Sequence, residues 1–573
     1  MEACSTYTAG DRPLRHMAPI SRTPAWLALP ILLLAACQEP AQPPSIAEEA
    51  RQIAEVFETP QVYSVRTLDS TDIAVFLNAH PEYAIDSALI HAFYARRGHQ
   101  YAWFVNDNLS QSASAFAALV NSADTAFAEI AQLRDRLNDL LLDGGIEAHT
   151  CDSCQLDLEL SLTAQFFRFA DKTYGGLVGK DLRELDWFIP RNKKDYSQLI
   201  DSLAAGHMDL SPIEPVHPQY GLLKAELKHL YELNNLGSWP VLSLGDRRKI
   251  EPDDSVPVIA DIRERLMLLR DLRSEGDSVV LRSHRYDSTL VKAVQRFQER
   301  HGLLPDGVIG AGVMRQLNVP PRDRIRTLLV NMERLRWVPL SYAPDLILVN
   351  IPEFRMHIFE EGRDAWSMDV VVGTAATRTV IFNDTLKKIV FSPYWGVPQS
   401  IVRGEILPAM AKDPNYLKKK GMEIVGGSAS NPVIRQKPGP SNALGLVKFL
   451  FPNSYNIYFH DTPSKGGFAK EKRAFSHGCI RLSEPVRLAE YLLRNDSTWT
   501  PERIKKAMHG GKEITVNLKA GERRPVTIGY FTAWIDLDDR LNFRDDVYGH
   551  DDRLAKELFV GAPVPVPGAV LLP

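Results

Sequence analysis

Phe475-Ser476-His477-Gly478-Cys479-Ile480-Arg481-Leu482 is the stretch on which the reading of this chain turns. Cys479 is the only cysteine of a long β-rich region, and a glycine precedes it. Upstream, Tyr455–His460 reads as a strand ending on a histidine, with Asp461 next; fifteen residues separate His460 from Ser476. A cysteine nucleophile needs a lowered pKa or an adjacent base, and a histidine within hydrogen-bond reach supplies one. That histidine needs a third group on its other ring nitrogen to fix the tautomer. A glycine before the cysteine lets backbone amides crowd a reacting carbonyl and stabilise an oxyanion. The stretch therefore holds the parts of a thiol acyl-transfer site. Two histidines compete as base. They are His460 and His477, the latter only two residues from Cys479, and the residues by themselves leave both as candidates.

Around this stretch the apolar period is that of strands. Candidate strands are Leu346–Asn350, Arg355–Phe359, Met368–Val372, Thr379–Phe382, Ile389–Ser392, Val447–Phe451 and Tyr455–His460. They define a β-rich, β-sandwich-like domain over 344–520. One non-strand excursion interrupts it at about 399–445, rich in charge and proline, as lids and binding loops are. It holds seven basic residues, Arg403, Lys412, Lys418, Lys419, Lys420, Arg435 and Lys437, against Glu405, Asp413 and Glu423. That composition suits a lid over a carboxylate-bearing ligand, or a solvated charged face. A C-terminal segment, 521–573, carries the strand-like Tyr530–Asp536 and then a turn-rich end.

Towards the N-terminus the period becomes helical, and the chain as a whole reads as multidomain α+β. A scaffold over 70–254 shows Phe116, Leu119 and Val120, then Ile130, Leu133, Leu137 and Leu140, then Leu160, Leu162, Phe166, Phe169 and Ala170 at helical spacing. Tyr94, Tyr101, Trp103 and Phe104 form an aromatic cluster expected in the core. Cys151 and Cys154 form a C-x-x-C with no second Cys or His pair to complete a zinc set; a local disulfide is expected. Residues 255–320 make a compact three-helix unit from Ile259, Ile262, Leu266 and Leu269, then Leu290, Val294 and Phe297, then Val313 and Leu317. A connecting helix follows within 321–343.

The 573 residues, 24% charged and 45% hydrophobic, are enough for several globular domains and exclude a disordered chain. A formal net charge of −4 argues against nucleic acid as a partner. Five cysteines in a chain of this length make no disulfide scaffold. Residues 1–37 read as an export signal. Arg12, Arg15 and Arg22 precede the twelve-residue apolar run Ala25–Ala36, too short to span a bilayer. Met17 is an alternative start. Leu34-Ala35-Ala36-Cys37 resembles the lipobox of bacterial lipoproteins, which implies lipidation of Cys37 and a periplasmic protein anchored to the inner or outer membrane of a Gram-negative cell. Residues 38–69, rich in Pro, Gln and Glu, read as a linker.

The motif His460, fifteen residues, then Ser476-His477-Gly478-Cys479-Ile480-Arg481 closely resembles the signature of the YkuD-type L,D-transpeptidase catalytic domain. Residues 392–408, 435–463 and 530–536 resemble the large YcbB-like subgroup, with scaffold and capping loop, and 293–318 resembles a three-helix peptidoglycan-binding module. The resemblance implies Cys479 as nucleophile, His460 as base, the Asp461 backbone carbonyl as its orienting group, and Ser476, His477 and Gly478 on the oxyanion side. Arg481 could meet a substrate carboxylate. The implied reaction cleaves the bond between meso-diaminopimelate and the terminal D-Ala of a donor tetrapeptide stem through a thioester. Resolution by an acceptor stem amine gives a 3→3 cross-link, and resolution by water makes an L,D-carboxypeptidase. A non-catalytic wall-binding lipoprotein is the alternative of another class. Neither a metal nor an organic cofactor is implied, since a thiolate supplies the nucleophile. Partners would be donor and acceptor stem peptides, membrane lipid and other wall-synthesis proteins, and carbapenems would acylate Cys479.

Overall fold

Alternation of apolar residues after 344 does produce strands, but it closes them into one sheet. The computed structural model describes residues 66–559 apart from 106–107, 122–127, 145–150, 177–181, 192–193, 208–209, 274–281 and 341. The expected export signal and Cys37 lie outside the described residues, as do most of the linker and the chain end. Strands of the β-rich domain are β1 (Leu346–Asn350), β2 (Arg355–Glu360), β3 (Arg363–Gly373), β4 (Phe382–Leu386) and β5 (Lys388–Phe391). An insertion contributes β6 (Trp395–Gly396), β7 (Met422–Ser428) and β8 (Asn431–Gln436). The domain resumes with β9 (Val447–Leu450), β10 (Phe459–His460), β11 (Ala474–Ser476), β12 (Ile480–Leu482), β13 (Ile514–Asn517) and β14 (Arg524–Gly529).

The large sheet has eleven strands in the order β13-β5-β9-β10-β12-β3-β2-β1-β14-β4, with β11 beside β3. Only Lys387 separates β4, at one end, from β5, next to the other. Lys387 N–H donates to the Leu450 carbonyl (3.0 Å), and its own carbonyl accepts from Leu518 N–H (2.9 Å). The sheet must therefore curl until its ends meet. Ile347, Val349, Ile358, Phe391, Phe449, Phe459 and Ile480, all fully buried, belong to the core it encloses. The β-sandwich-like domain is thus one large sheet curled on itself. It also runs past residue 520: β14 lies parallel to β1 and antiparallel to β4.

Residues 399–445 are not a structureless excursion. β7 and β8 form a hairpin, β6 pairs with β8, and short helices span Gln399–Ile401, Leu407–Lys412 and Tyr416–Lys419. Val397, Val402, Ile406 and Ile434 make a small core of their own. Only a few apolar residues support this unit, and charges alternate with them: Arg435 and Lys437 both pair with Glu423 (2.7 and 3.0 Å). The polar faces hid the alternation. Gly427, at φ +84°, lies in β7 opposite Pro432, just before the turn at Ala429 and Ser430; a Cβ there would lie 2.4 Å from the Asn431 carbonyl.

In the scaffold, α1 (Asp152–Ala170) carries the expected apolar face, α2 (Gln219–Asn235) buries Tyr220, Leu223, Leu227, Leu230 and Leu233, and Cys151 is disulfide-bonded to Cys154. The connecting helix α3 (Pro321–Trp337) is buried on nearly every side and packs against α2. Its buried charges are paired or hydrogen-bonded, Arg324 to Gln316 among them. Arg336 binds Glu333 (2.7 Å) and the Tyr220 hydroxyl (2.9 Å), and Arg334 binds Asp551 (2.6 Å) on α4 (His550–Leu558). The helices Val258–Leu268, Ser288–Arg300 and Ala311–Leu317 enclose a separate core that includes Ile259, Ile262, Leu290, Phe297 and Leu317. This unit is tied to the C-terminal hairpin Ala533–Ile535 and Leu541–Phe543: Arg300 donates to the Leu541 carbonyl (3.1 Å) and Gln316 to Asp545 (3.1 Å). Among the described residues, no helix is long and apolar enough to cross a membrane.

Candidate active site

β10 and β12 run side by side in parallel, Phe459 opposite Ile480 and His460 opposite Arg481. Side chains alternate along a strand, so Tyr458, His460, Cys479 and Arg481 share one face. β10 is short because its approach is a turn. Asn456 adopts φ +57°, and the Asn453 side chain accepts from Tyr455 N–H (3.0 Å) and Ile457 N–H (3.1 Å). This turn aims the Asn456 carbonyl at the thiol of Cys479, which donates to it at 3.5 Å.

His460 is buried, and its Nδ1 lies 2.5 Å from the Asp461 carbonyl. A carbonyl can only accept, so Nδ1 carries the proton and Nε2 is left as an acceptor. Burial holds the imidazole down at about 4, against smaller opposing effects from Asp461. It is therefore neutral at pH 7. The Asp461 carboxylate is occupied elsewhere, accepting from Leu446 N–H (2.9 Å) and Lys465 (2.6 Å). It fits because position 445 is glycine, where a Cβ would come within 2.3 Å of it.

Cys479 is half-buried, and burial pushes its thiol up; hydrogen bonds from Tyr458 and the charge of Arg481 oppose that. At rest the site holds a neutral thiol beside a neutral imidazole rather than a preformed thiolate. Among the described residues no hydrogen bond joins the two. The thiol must leave Asn456 to reach Nε2. Tyr458 contacts the same sulfur, and its ring centroid lies 5.8 Å from that of His460. Sequence reading passed over Tyr458, yet a tyrosine two residues before His460 on a strand necessarily shares its face.

The turn carrying the cysteine is pinned by Ser476, which is buried. Its hydroxyl donates to the Cys479 carbonyl (2.5 Å) and accepts from Gly478 N–H (3.1 Å). Gly478 takes φ +111°, a region that favours glycine. His477 points away, exposed, with its Nε2 3.5 Å from Glu405 of the insertion. It does not join the thiol face. Arg481 is half-buried, and no carboxylate pairs with it among the described residues; its Nε is buried without an acceptor. Cys151 and Cys154 are in the scaffold, apart from this cluster. Among the described residues no three His, Cys, Asp or Glu side chains converge as a metal site requires. The cluster comprises a nucleophile, an oriented base and a free cation, which is the equipment of covalent acyl transfer.

Residues 344–528 match the family profile described as the L,D-transpeptidase catalytic domain, YkuD. Residues 88–227 match a scaffold domain, and 263–317 a peptidoglycan-binding domain. A Haemophilus influenzae protein named "Putative L,D-transpeptidase" is 32% identical over 243 residues, 40% of this chain and 48% of that protein. The chain thus spans about half the length of the curated relative it matches. Among solved structures, the L,D-transpeptidase of Xylanimonas cellulosilytica is 16% identical, with 49% of this chain and 98% of that one covered and a TM-score of 0.17. That of Stackebrandtia nassauensis is 14% identical, with 51% and 98% covered and a TM-score of 0.19. Residues 344–528 thus carry a YkuD-type L,D-transpeptidase catalytic domain, accompanied in the same chain by scaffold and peptidoglycan-binding domains.

Proposed function

We propose that the protein is a peptidoglycan L,D-transpeptidase that works through a Cys479 thioester. The observation that carries this reading is the locked tautomer of His460, buried and neutral, with Nε2 an open acceptor on the strand face of Cys479. Attack begins as the thiol swings from Asn456 and passes its proton to Nε2 while sulfur bonds to the scissile carbonyl carbon of the donor stem. Charge builds on the carbonyl oxygen, beside the backbone N–H of Cys479, which donates to no acceptor among the described residues. The C–N bond breaks, and the imidazolium returns the proton to the amine of the departing D-Ala. An acceptor amine then attacks the thioester, losing its proton through His460, and the thiol is restored. Arg481, without a carboxylate of its own, suits a carboxylate of the stem. Of the basic residues in the insertion, Lys419 pairs with Asp413, and Arg435 and Lys437 with Glu423.

Anchoring through a lipid on Cys37 belongs to the same reading, because the wall substrate lies in the periplasm. Fractionation tests it: the wild type should partition with membranes and Cys37→Ser with the soluble fraction. The activity is tested by mass spectrometry of purified muropeptides incubated with the enzyme. A cross-linked dimer together with free D-Ala supports transpeptidation; tripeptide and D-Ala without dimer indicates a carboxypeptidase; unchanged substrate overturns both.

A further inference from the structure

The face of the cysteine turn opposite the thiol is gripped by a loop and a tyrosine from different parts of the chain. After β3, residues 374–379 fold back so tightly on Gly373 that a Cβ there would lie 2.1 Å from the Thr377 carbonyl. From this loop, Thr374 N–H and the Thr377 hydroxyl both donate to the Ser476 carbonyl, each at 3.0 Å. The Thr379 hydroxyl, fully buried, donates to the Gly478 carbonyl at 2.7 Å and accepts from Gly373 N–H at 3.0 Å. Thr379 is held in turn by Tyr548, whose hydroxyl accepts from Thr379 N–H (3.3 Å) and donates to the Gly373 carbonyl (2.8 Å). Burial pushes Tyr548 up to about 12, so it remains a donor. Tyr548 lies beyond the catalytic-domain match, in a segment where its own N–H donates to the Tyr530 hydroxyl (2.8 Å).

The consequence lies in peptide geometry. The Gly478 carbonyl and the Cys479 N–H belong to one planar trans peptide, in which C=O and N–H point in opposite directions. A hydroxyl that fixes the carbonyl on the loop side fixes the N–H on the thiol side. That N–H has no acceptor among the described residues. We infer that Thr379, held by Tyr548 of the C-terminal segment, is a positioning residue that aims the Cys479 N–H at the oxyanion. The C-terminal segment then does more than brace the scaffold: it completes the catalytic turn from behind. This inference rests on the thioester reading given above.

Two rates on the same sulfur separate positioning from general damage. Acylation by a carbapenem, followed by intact-protein mass, builds an oxyanion; alkylation by iodoacetamide needs only the thiolate. Thr379→Val should slow acylation by about 10²-fold while alkylation stays within about twofold, the scale of losing one oxyanion donor. Thr379→Ser, which keeps the hydroxyl, should restore acylation, and Tyr548→Phe should slow it in the same selective way by roughly tenfold. Should Thr379→Val fail to fold, Tyr548→Phe, which removes a single oxygen, carries the test. Equal acylation in wild type and variants overturns the inference, as does a parallel fall in both rates. A wild type that turns over muropeptides without a Cys479 thioester would instead overturn the thioester reading itself.

Discussion

At the residue scale, Cys479 and His460 are two neutral neighbours. Because burial lowers His460 to about 4 and raises the Cys479 thiol, an imidazolium–thiolate pair is not the resting state. Alkylation of Cys479 by iodoacetamide should therefore climb roughly tenfold per pH unit through neutrality and continue beyond about pH 9. A plateau near pH 6–7, the mark of a preformed pair, would contradict this. His460→Ala should slow acylation by about 10²–10⁴-fold, the range of general acid–base help. His477→Ala should cost less, since His477 points at Glu405; steady-state kinetics with muropeptides checks the order. The candidacy of Cys479 and His460 was legible because residue types and spacing carry it, and the structure brings the two to one strand face. Tyr458 and Thr379 were not, because each acts through a fold contact: Tyr458 through a strand face, Thr379 through a hydrogen bond to a residue 99 positions away.

Elements were legible in proportion to how much apolar surface each one buries. Strong periods such as Leu346–Asn350 and Leu290, Val294, Phe297 fell where expected, with every one of these apolar residues buried except Leu348. The 399–445 insertion escaped because its core is four residues, diluted by charge. So small a core makes it the piece most prone to open on its own. Ile434→Ala should remove about 2–5 kcal/mol from that unit and accelerate amide exchange in β7 and β8 at least about 30-fold. Exchange in β1 and β2 should be unchanged, as hydrogen–deuterium exchange mass spectrometry can read. Uniform acceleration across the large sheet would mean that the insertion and the sheet unfold together.

On the scale of the whole molecule, paired buried charges join regions far apart in sequence. Other pairs are local: half-buried His357 lies between Glu353 (3.1 Å) and Asp364 (2.7 Å), four and seven residues away. Burial opposes its charge, but the two carboxylates outweigh it and raise it to about 9, while Glu353 is held down at about 2. A folded pKa above the unfolded 6.5 means that the folded state binds the extra proton between these values. The contribution is complete below about pH 6.5 and lost as pH rises through about 9. The Tm difference between wild type and His357→Gln should thus be widest in mild acid and close in alkali; a gap that widens with pH contradicts this assignment. The curl of the sheet, closed at Lys387, was not legible because alternation gives strands and not their order. The central claim, a covalent thioester on Cys479, is tested most directly by the intact-protein mass after brief mixing with a tetrapeptide stem. The account predicts that wild type gains the mass of the stem less its terminal D-Ala, and that Cys479→Ala gains nothing. An adduct on Cys479→Ala, or turnover by that variant, would contradict it.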